Sequence, residues 1–311
     1  MNELSLSGKN WRYKIFDSTY VEYLKENFFL DEITAKLLSI RNIKKDSIKS
    51  FLEPSIKNLV PNPNTLRDME KTTLRLLKAI NENERIGIFG DYDVDGASST
   101  AIIGNYFKTI KQDFEIYIPD RRSEGYGPSI KSFQNLINKK VDLIITVDCG
   151  TMSFDAIDFA NENKVDVIVL DHHQSELNLP KAHSIINPNR FDDESKLNYL
   201  CAAGVCFMTL IAINSALRKQ GWFLEKKIKE PNLLDFLDLV SLGTVCDVVP
   251  LIGLNRAIVK QGLKVINSKK NLGLKTLIDL CKIETKASTY HLGYVIGPRI
   301  NAGGRVGKCS H

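Results

Sequence analysis

Residues 85–96 read RIGIFGDYDVDG, an apolar run that ends in three closely spaced acidic residues, Asp91, Asp93 and Asp95. Apolar and β-branched residues bounded by glycine are typical of a buried strand. Three carboxylates at the end of one strand repel each other, which costs stability unless a bound cation neutralises them. Clusters of oxygen ligands favour hard ions such as Mg²⁺ or Mn²⁺. Taken alone, however, an acidic turn is more often a solvated loop.

Three further apolar segments also end in residues that can bind metal ions. They are 141–147 followed by Asp148, 165–170 followed by Asp171, His172 and His173, and 239–246 followed by Asp247. Such runs predict strands that are buried on both faces, as in a parallel sheet. Because sites in open parallel sheets gather at the carboxyl ends of the strands, we expect these side chains to converge. The repetition favours a metal site over a solvated loop.

The pattern between residues 84 and 190 alternates between strands and helices. Strands are predicted over 85–90, 114–119, 142–147, 165–170 and 184–187, and helices over 97–108, 128–138 and 153–163. This alternation predicts an α/β fold with a doubly wound, mostly parallel sheet and helices on both faces. Helices are expected to follow over 199–219, within 231–268, and over 272–282 and 288–297. We divide the chain into a lead-in (1–70), a catalytic α/β domain (71–255) and connecting helices that begin a second domain (256–311).

The composition is that of an ordinary globular protein, with 311 residues, 43% hydrophobic and 25% charged, and a net charge of +5. No apolar run is long enough to span a membrane, and the N-terminus does not resemble a signal peptide, so we expect a cytoplasmic protein. The six cysteines form no CxxC pair, and we expect them to be reduced. The absence of GxxxxGK[ST], GxGxxG and GxSxG motifs argues against nucleotide triphosphatases, dinucleotide enzymes and serine hydrolases.

The acidic and imidazole groups suit a centre of two metal ions for phosphoryl displacement. We predict as ligands Asp93, Asp95, Asp148, His172 and Asp247, with Asp148 bridging the ions. The imidazole nitrogen favours Mn²⁺ over Mg²⁺. We expect His173 to point towards a substrate phosphate or a transferred proton. We group Asp91 with His173 and Asp148 as catalytic residues. Asp91 and Asp171 could instead orient a histidine ligand or cap the turn that follows.

Two glycine-rich segments carry arginines that could bind phosphate. Residues 119–127 contain Arg121 and Arg122, and residues 297–305 are expected to form a second cationic loop. Arginine binds phosphate through two parallel hydrogen bonds, and glycine lets the backbone approach the anion. The alternative is that these arginines are solvated or paired with neighbours such as Glu124.

These motifs, in order and spacing, resemble those of the DHH phosphoesterase superfamily, and residues 119–127 and 297–305 are similar to those of its RecJ-type exonucleases. The resemblance covers residue 67 to the end of the chain. It implies hydrolysis of single-stranded DNA from a free 5′ end with Mn²⁺ or Mg²⁺, in recombination and repair, with a single-strand-binding protein and a helicase as partners. It also implies the ligand set given above, a contact of His173 with the scissile phosphate, and substrate-phosphate contacts by Arg121, Arg299, Asn301 and Arg305.

The resemblance has two departures. The family continues into a second domain with a Gly-Gly-His motif, and often an oligonucleotide-binding domain, neither of which is found before His311, so we expect a truncated chain. The usual single arginine of the first basic motif is doubled by Arg122. The alternatives are a DHH enzyme that cleaves short oligonucleotides or cyclic dinucleotides, and an inactive DHH scaffold of a replication complex. Such scaffolds typically lose ligands, whereas every ligand position is filled here.

Overall fold

The computed structural model describes residues 5–10, 12 and 14–306; Cys309 lies outside these residues. The chain divides into two compact units, Met1–Pro54 and Ser55–His311. The first unit contains helices α1 (Ser18–Phe28), α2 (Glu32–Ile40) and α3 (Ile48–Leu52). Its small core is formed by Val21, Leu24, Ala35, Leu38 and Ile48. The domain boundaries predicted near residues 70 and 255 stay predictions.

The second unit is built on a five-stranded sheet in the order β2-β1-β3-β4-β5, with every pair parallel. The strands are β1 (Ile86–Gly90), β2 (Phe114–Tyr117), β3 (Leu143–Val147), β4 (Asp166–Leu170) and β5 (Ser184–Ile186). Gly90 of β1 pairs with Val147 of β3, which pairs with Leu170 of β4, so three strands end level with one another. The strand order reverses between β1 and β3, where open α/β sheets form a crevice.

The helices of the second unit precede, connect and follow the strands. They are α4 (Ile56–Leu59), α5 (Met69–Glu82), α6 (Val94–Ile110), α7 (Ile130–Asn138), α8 (Phe154–Glu162), α9 (Ala202–Lys219), α10 (Trp222–Glu225), α11 (Leu237–Cys246), α12 (Gly253–Asn267), α13 (Leu272–Leu280) and α14 (Gly297–Val306). A π-helical turn, His291–Ile296, leads directly into α14. In the described ranges, no helix combines the length and the apolarity that a membrane crossing requires.

Alternate residues of the strands pack into two cores, one on each face of the sheet. Ile86 and Ile88 pack with α5, α6 and α9, whereas Phe89 packs on the other face with α7 and α8. This alternation is the pleat of a strand that is buried on both sides. The predicted fold class, a doubly wound parallel sheet with helices on both faces, is confirmed.

Two predicted local structures are wrong. Residues 239–246 are not a strand but most of α11, a helix that is apolar nearly all round and largely buried, so its sequence lacks an amphipathic period. The hydroxyls of Ser241 and Thr244 donate to the carbonyls of Leu237 and Val240 one turn earlier, and the Ser241 hydroxyl also lies 3.0 Å from the Ile258 carbonyl of α12. Residues 297–305 are not a cationic loop but lie within α14.

Candidate metal centre

The acidic segment after β1 is a short turn that leads into the first turn of α6. Asp93 caps the helix, and its Oδ1 accepts a hydrogen bond from the Gly96 N–H at 2.9 Å. Asp95 therefore sits in the first turn of α6 and not in an extended segment. A Cβ at Gly96 would lie 2.6 Å from the Asp91 carbonyl oxygen, so this turn closes only with glycine. The geometry presents three carboxylates within five residues.

Asp95 is fully buried against the N-terminus of α9. Its Oδ2 accepts from the Ala202 N–H at 2.6 Å and its Oδ1 from the Ala203 N–H at 3.0 Å. These are two of the N–H groups that a helix leaves unpaired at its start, and they favour a negative charge. Gly243 of α11 makes the approach possible, because a Cβ there would lie 2.5 Å from Asp95 Oδ1.

Asp148 follows β3 in the left-handed region, with φ of 61°. That conformation is uncommon for a residue other than glycine, and such outliers cluster at functional sites. Its N–H donates to the Leu170 carbonyl of β4 at 2.9 Å, and its own carbonyl accepts from the Tyr126 hydroxyl at 3.2 Å. These bonds hold the Asp148 side chain at the level where the strands end.

His172 lies at the centre of the cluster. Its Nε2 is 3.3 Å from Asp148 Oδ1, 3.7 Å from Asp247 Oδ2 and 3.8 Å from Asp95 Oδ2. Asp247 reaches this point from the C-terminus of α11, where it caps the helix. The structure thus brings three of the predicted carboxylate ligands around the imidazole nitrogen of a fourth predicted ligand, His172.

Three overlapping sets of side chains could each hold an ion, with ligand atoms within 4.8 Å of one another. They are Asp91, Asp93 and Asp148; Asp95, His172 and Asp247; and Asp148, His172 and His173. Asp148 and His172 each belong to two sets, and of the two the carboxylate has two oxygens with which it could bridge a pair of ions. All five predicted ligands are therefore in one cluster, and Asp91, predicted as catalytic or supporting, lies among them.

Several buried atoms in this cluster have no hydrogen-bond partner among the residues that the structure describes, namely Asp91 Oδ1, Asp148 Oδ1 and His172 Nε2. Buried polar atoms normally have partners, so such orphaned atoms call for a bound group. Oxygen atoms with one imidazole nitrogen are the donor set of Mn²⁺ or Mg²⁺. The residues therefore fit a divalent cation.

The ionisation of the cluster also indicates uncompensated negative charge. Burial and the neighbouring carboxylates raise the pKa of Asp148 well above its ordinary value. Burial raises the pKa of Asp91 to about 6, and burial with the charges of Asp95 and Asp93 raises that of Asp247 to about 7. Burial lowers the pKa of His172, which favours the neutral imidazole that binds metal. A bound cation would reverse these shifts for the carboxylates.

Asp171 does not point a free oxygen at the cluster but orients its neighbours. It accepts hydrogen bonds from the Thr151 N–H and hydroxyl, from the N–H groups of His172 and His173, and from His173 Nδ1 at 2.8 Å. Burial opposes its ionisation, yet the hydrogen bond and charge of His173 lower its pKa. In return, the bond to Asp171 raises the pKa of His173. The half-exposed His173 ring is thus fixed through Nδ1.

Sequence reasoning missed the residues that support the histidines. Asn187 donates to the Thr151 hydroxyl at 2.9 Å and to the His173 carbonyl at 2.8 Å, and Asn189 donates to the His172 carbonyl. The Tyr126 hydroxyl lies 3.4 Å from His173 Nε2. The only local signal was that Asn187 and Asn189 directly follow a strand, β5, of the same sheet.

Two of the predicted phosphate contacts, Arg121 and Asn301, lie beside the acidic turn. The Arg121 guanidinium lies over the Tyr92 ring, 5.2 Å from its centroid, beside the acidic turn. Arg299 is exposed and donates to the Val295 carbonyl at 2.7 Å. Asn301 accepts from the Val94 N–H at 3.1 Å. The Arg305 side chain lies outside the described part of the chain.

A cleft of about 780 Å³ opens beside His173. Its walls include Tyr126, Met152 and Phe154, together with Lys131 in the first turn of α7. Polar side chains, among them Ser129, Thr151 and Asp155, also line it. The half-exposed His173 imidazole therefore faces an open cleft.

Residues 85–244 match the sequence profile of the DHH family, N-terminal domain. The single-stranded-DNA-specific exonuclease RecJ of Escherichia coli (strain K12) is 38% identical over 262 residues, which are 83% of this chain and 45% of that protein. The protein of the same name from Bacillus subtilis (strain 168) is 31% identical over 302 residues, which are 96% of this chain and 36% of that protein. The chain thus spans less than half the length of these curated relatives.

Solved structures match as well. A structure of exonuclease RecJ bound to manganese has a TM-score of 0.69 and 32% identity, over 81% of this chain and 60% of that one. RecJ of Thermus thermophilus in complex with Mn²⁺ has a TM-score of 0.76 and 27% identity, over 94% of this chain and 40% of that one. The similarity therefore covers both the sheet and the helices that follow it.

Proposed function

The chain belongs to the DHH family, and on that premise we propose that it is the catalytic part of a metal-dependent phosphodiesterase that degrades single-stranded DNA from the 5′ end. The relatives reported above are single-stranded-DNA-specific exonucleases, and two of the matching structures contain manganese. Its cofactor would be Mn²⁺ or Mg²⁺, as two ions.

One observation carries this proposal, namely the buried ligand atoms without partners at the strand ends. Asp148 Oδ1 and His172 Nε2 face each other at 3.3 Å, and within the described part of the chain neither they nor Asp91 Oδ1 have a hydrogen-bond partner. An inactive scaffold would gain nothing from the repulsion of these buried carboxylates. The stability that they cost is explained if bound cations compensate for it.

Each residue then has a role that its surroundings support. Asp91, Asp93, Asp95, Asp148, His172 and Asp247 would hold the ions, with Asp148 shared between them. Ions bound there would activate water and stabilise the charge that develops on the phosphate oxygens. His173, fixed by Asp171 through Nδ1, would present Nε2 to the scissile phosphate from the edge of the cleft. Arg121, Arg299 and Arg305 would neutralise further phosphates of the strand.

The setting of this activity belongs to the same proposal. We place it in the cytoplasm, in DNA recombination and repair, where a helicase would expose single strands and a single-strand-binding protein would cover them. A net charge of +5 is compatible with an anionic polymer as the substrate.

The deciding experiment is a nuclease assay on long single strands that are blocked at either the 5′ or the 3′ end, with Mn²⁺ or with EDTA. We expect Mn²⁺-dependent digestion that a 5′ block stops and a 3′ block does not. Equal digestion of both strands would refute the polarity. Cleavage of a dinucleotide but not of the long strand would instead identify a small-substrate enzyme. His172→Ala serves as the inactive control, because its imidazole touches three of the carboxylates.

A further inference from the structure

We propose that Asn301 is a positioning residue of the metal centre, which acts through the backbone of α6. The first N–H groups of a helix have no partner inside it. In α6 the Gly96 N–H is bonded by Asp93, and the Val94 N–H is bonded by Asn301 Oδ1 at 3.1 Å. Val94 is the residue between Asp93 and Asp95. The contact therefore holds the turn that carries two of the proposed ligands from a point 207 residues further along the chain.

Helix α14, which carries Asn301, also contacts Cys246, the residue that precedes Asp247. A Cβ at Gly297 would lie 2.5 Å from Cys246 Sγ, and Cys246 Sγ donates to the Leu292 carbonyl at 3.4 Å. Gly297 and Asn301 are four residues apart and so lie on one face of α14. One face of this helix thus touches the chain directly beside both ligand-bearing segments.

Apolar packing makes this contact firm. Val94 and Leu242 are buried in one cluster with Leu292 and Ile296, and Ile300 packs against it. The cluster joins the start of α6, the middle of α11 and the segment from the π-helical turn into α14. Close-packed side chains transmit displacements instead of absorbing them. Asn301 therefore fixes the turn of Asp93 and Asp95 relative to Asp247.

This role and a phosphate contact make different demands on the Asn301 amide. Positioning needs the acceptor Oδ1, which the Val94 N–H occupies, whereas a phosphate needs the donor Nδ2. Asn301→Asp keeps an acceptor and removes the donor. Asn301→Ala removes both. The two variants therefore separate the two roles.

The inference rests on the proposed metal-dependent function, and its test starts without DNA. Mn²⁺ affinity is measured by calorimetry on the 311-residue chain and its variants at one pH. We expect Asn301→Ala to weaken Mn²⁺ binding roughly 10-fold or more, as losing a residue that orients metal ligands typically does. Asn301→Asp should stay at or above the wild-type affinity. Excess Mn²⁺ should restore cleavage by Asn301→Ala, which it could not do if only a phosphate contact were lost.

Asn271→Ala is the matched control. Asn271 Oδ1 accepts from the Leu274 N–H in the first turn of α13, and its Nδ2 donates to Asp238 Oδ2 at 3.0 Å. The variant therefore removes a bond of the same kind together with one further bond, and neither of them reaches the turn of Asp93 and Asp95. We expect its Mn²⁺ affinity to be that of the wild type, with a similar decrease in melting temperature.

Wild-type Mn²⁺ affinity in Asn301→Ala would overturn the inference, and so would equal losses in Asn301→Asp and Asn301→Ala. A wild-type chain that binds no Mn²⁺ would refute the proposed function itself.

Discussion

Replacing Asp247 by asparagine should stabilise the metal-free protein, although it removes a proposed ligand. Burial and the charges of Asp95 and Asp93 raise the pKa of Asp247 from 3.8 to about 7. The folded state therefore disfavours the ionised carboxylate. As the pH rises above 3.8, the ionisation of Asp247 lowers the free energy of unfolding of the wild type. This loss grows until the pH reaches the folded-state pKa near 7 and is constant at higher pH. At about 1.36 kcal/mol for each pKa unit, it amounts to about 4 kcal/mol at pH 8 and less than about 1 kcal/mol at pH 4. Because 23% of the side chain is exposed, we take these as upper values.

Urea unfolding in EDTA at pH 8 and pH 4 measures this difference. The asparagine side chain cannot ionise, so the Asp247→Asn variant should exceed the wild type in unfolding free energy at pH 8 and nearly match it at pH 4. Mn²⁺ at about 1,000 times its wild-type Kd should remove most of this difference, because an ion bound to the native state then stabilises the wild type by about 4.1 kcal/mol. Asp158→Asn, an exposed change on α8, should alter neither value by more than about 0.5 kcal/mol. A variant less stable than the wild type in EDTA at pH 8 would refute the reasoning.

Three further predictions concern the same centre. Asp148→Ala should lower Mn²⁺-dependent cleavage by at least about 100-fold while the circular dichroism spectrum is kept, and retained activity would disprove the two-ion assignment. Gly243→Ala should lower the free energy of unfolding by about 1–3 kcal/mol and weaken Mn²⁺ binding, because the added Cβ would lie 2.5 Å from Asp95 Oδ1. An unchanged midpoint of urea unfolding would contradict this contact. His173→Gln should reduce the single-turnover rate but keep Mn²⁺ affinity, whereas His172→Gln should lose both in the same assays. Equal affinities in the two histidine variants would contradict their separate roles.

Much of the candidate metal centre could be predicted, because the ends of buried strands can be recognised from the sequence pattern. Apolar β-branched runs identify buried strands, and parallel strands bring their carboxyl ends to one edge. For that reason Asp93, Asp148 and His172, which are far apart in the chain, were expected together. The structure places them in one cluster. Their roles as ligands stay predictions until metal binding is measured.

The rest was not predictable, because it depends on contacts between distant segments. The segment 239–246 is apolar without a period, so strand and buried helix could not be told apart, and the structure shows α11. The partners of Asp171 include Thr151, whose place next to it is set by the pairing of β3 with β4. The bond between Asn301 Oδ1 and the Val94 N–H joins residues 207 positions apart, and the phosphate contact expected of Asn301 stays a prediction.

The sequence by itself determined which strand ends carry the chemical groups of this protein, from the acidic turn at 91–96 to the histidine pair at 172–173. It could do so because periodicity and turn residues are local properties of the chain. Only the tertiary structure decided that Asp95 sits on the N-terminus of α9, that α11 delivers Asp247, and that α14 supports the turn of Asp93. Those contacts depend on how the ends of different helices pack together on the sheet. Packing between residues that are distant in the chain leaves no local pattern in a single sequence.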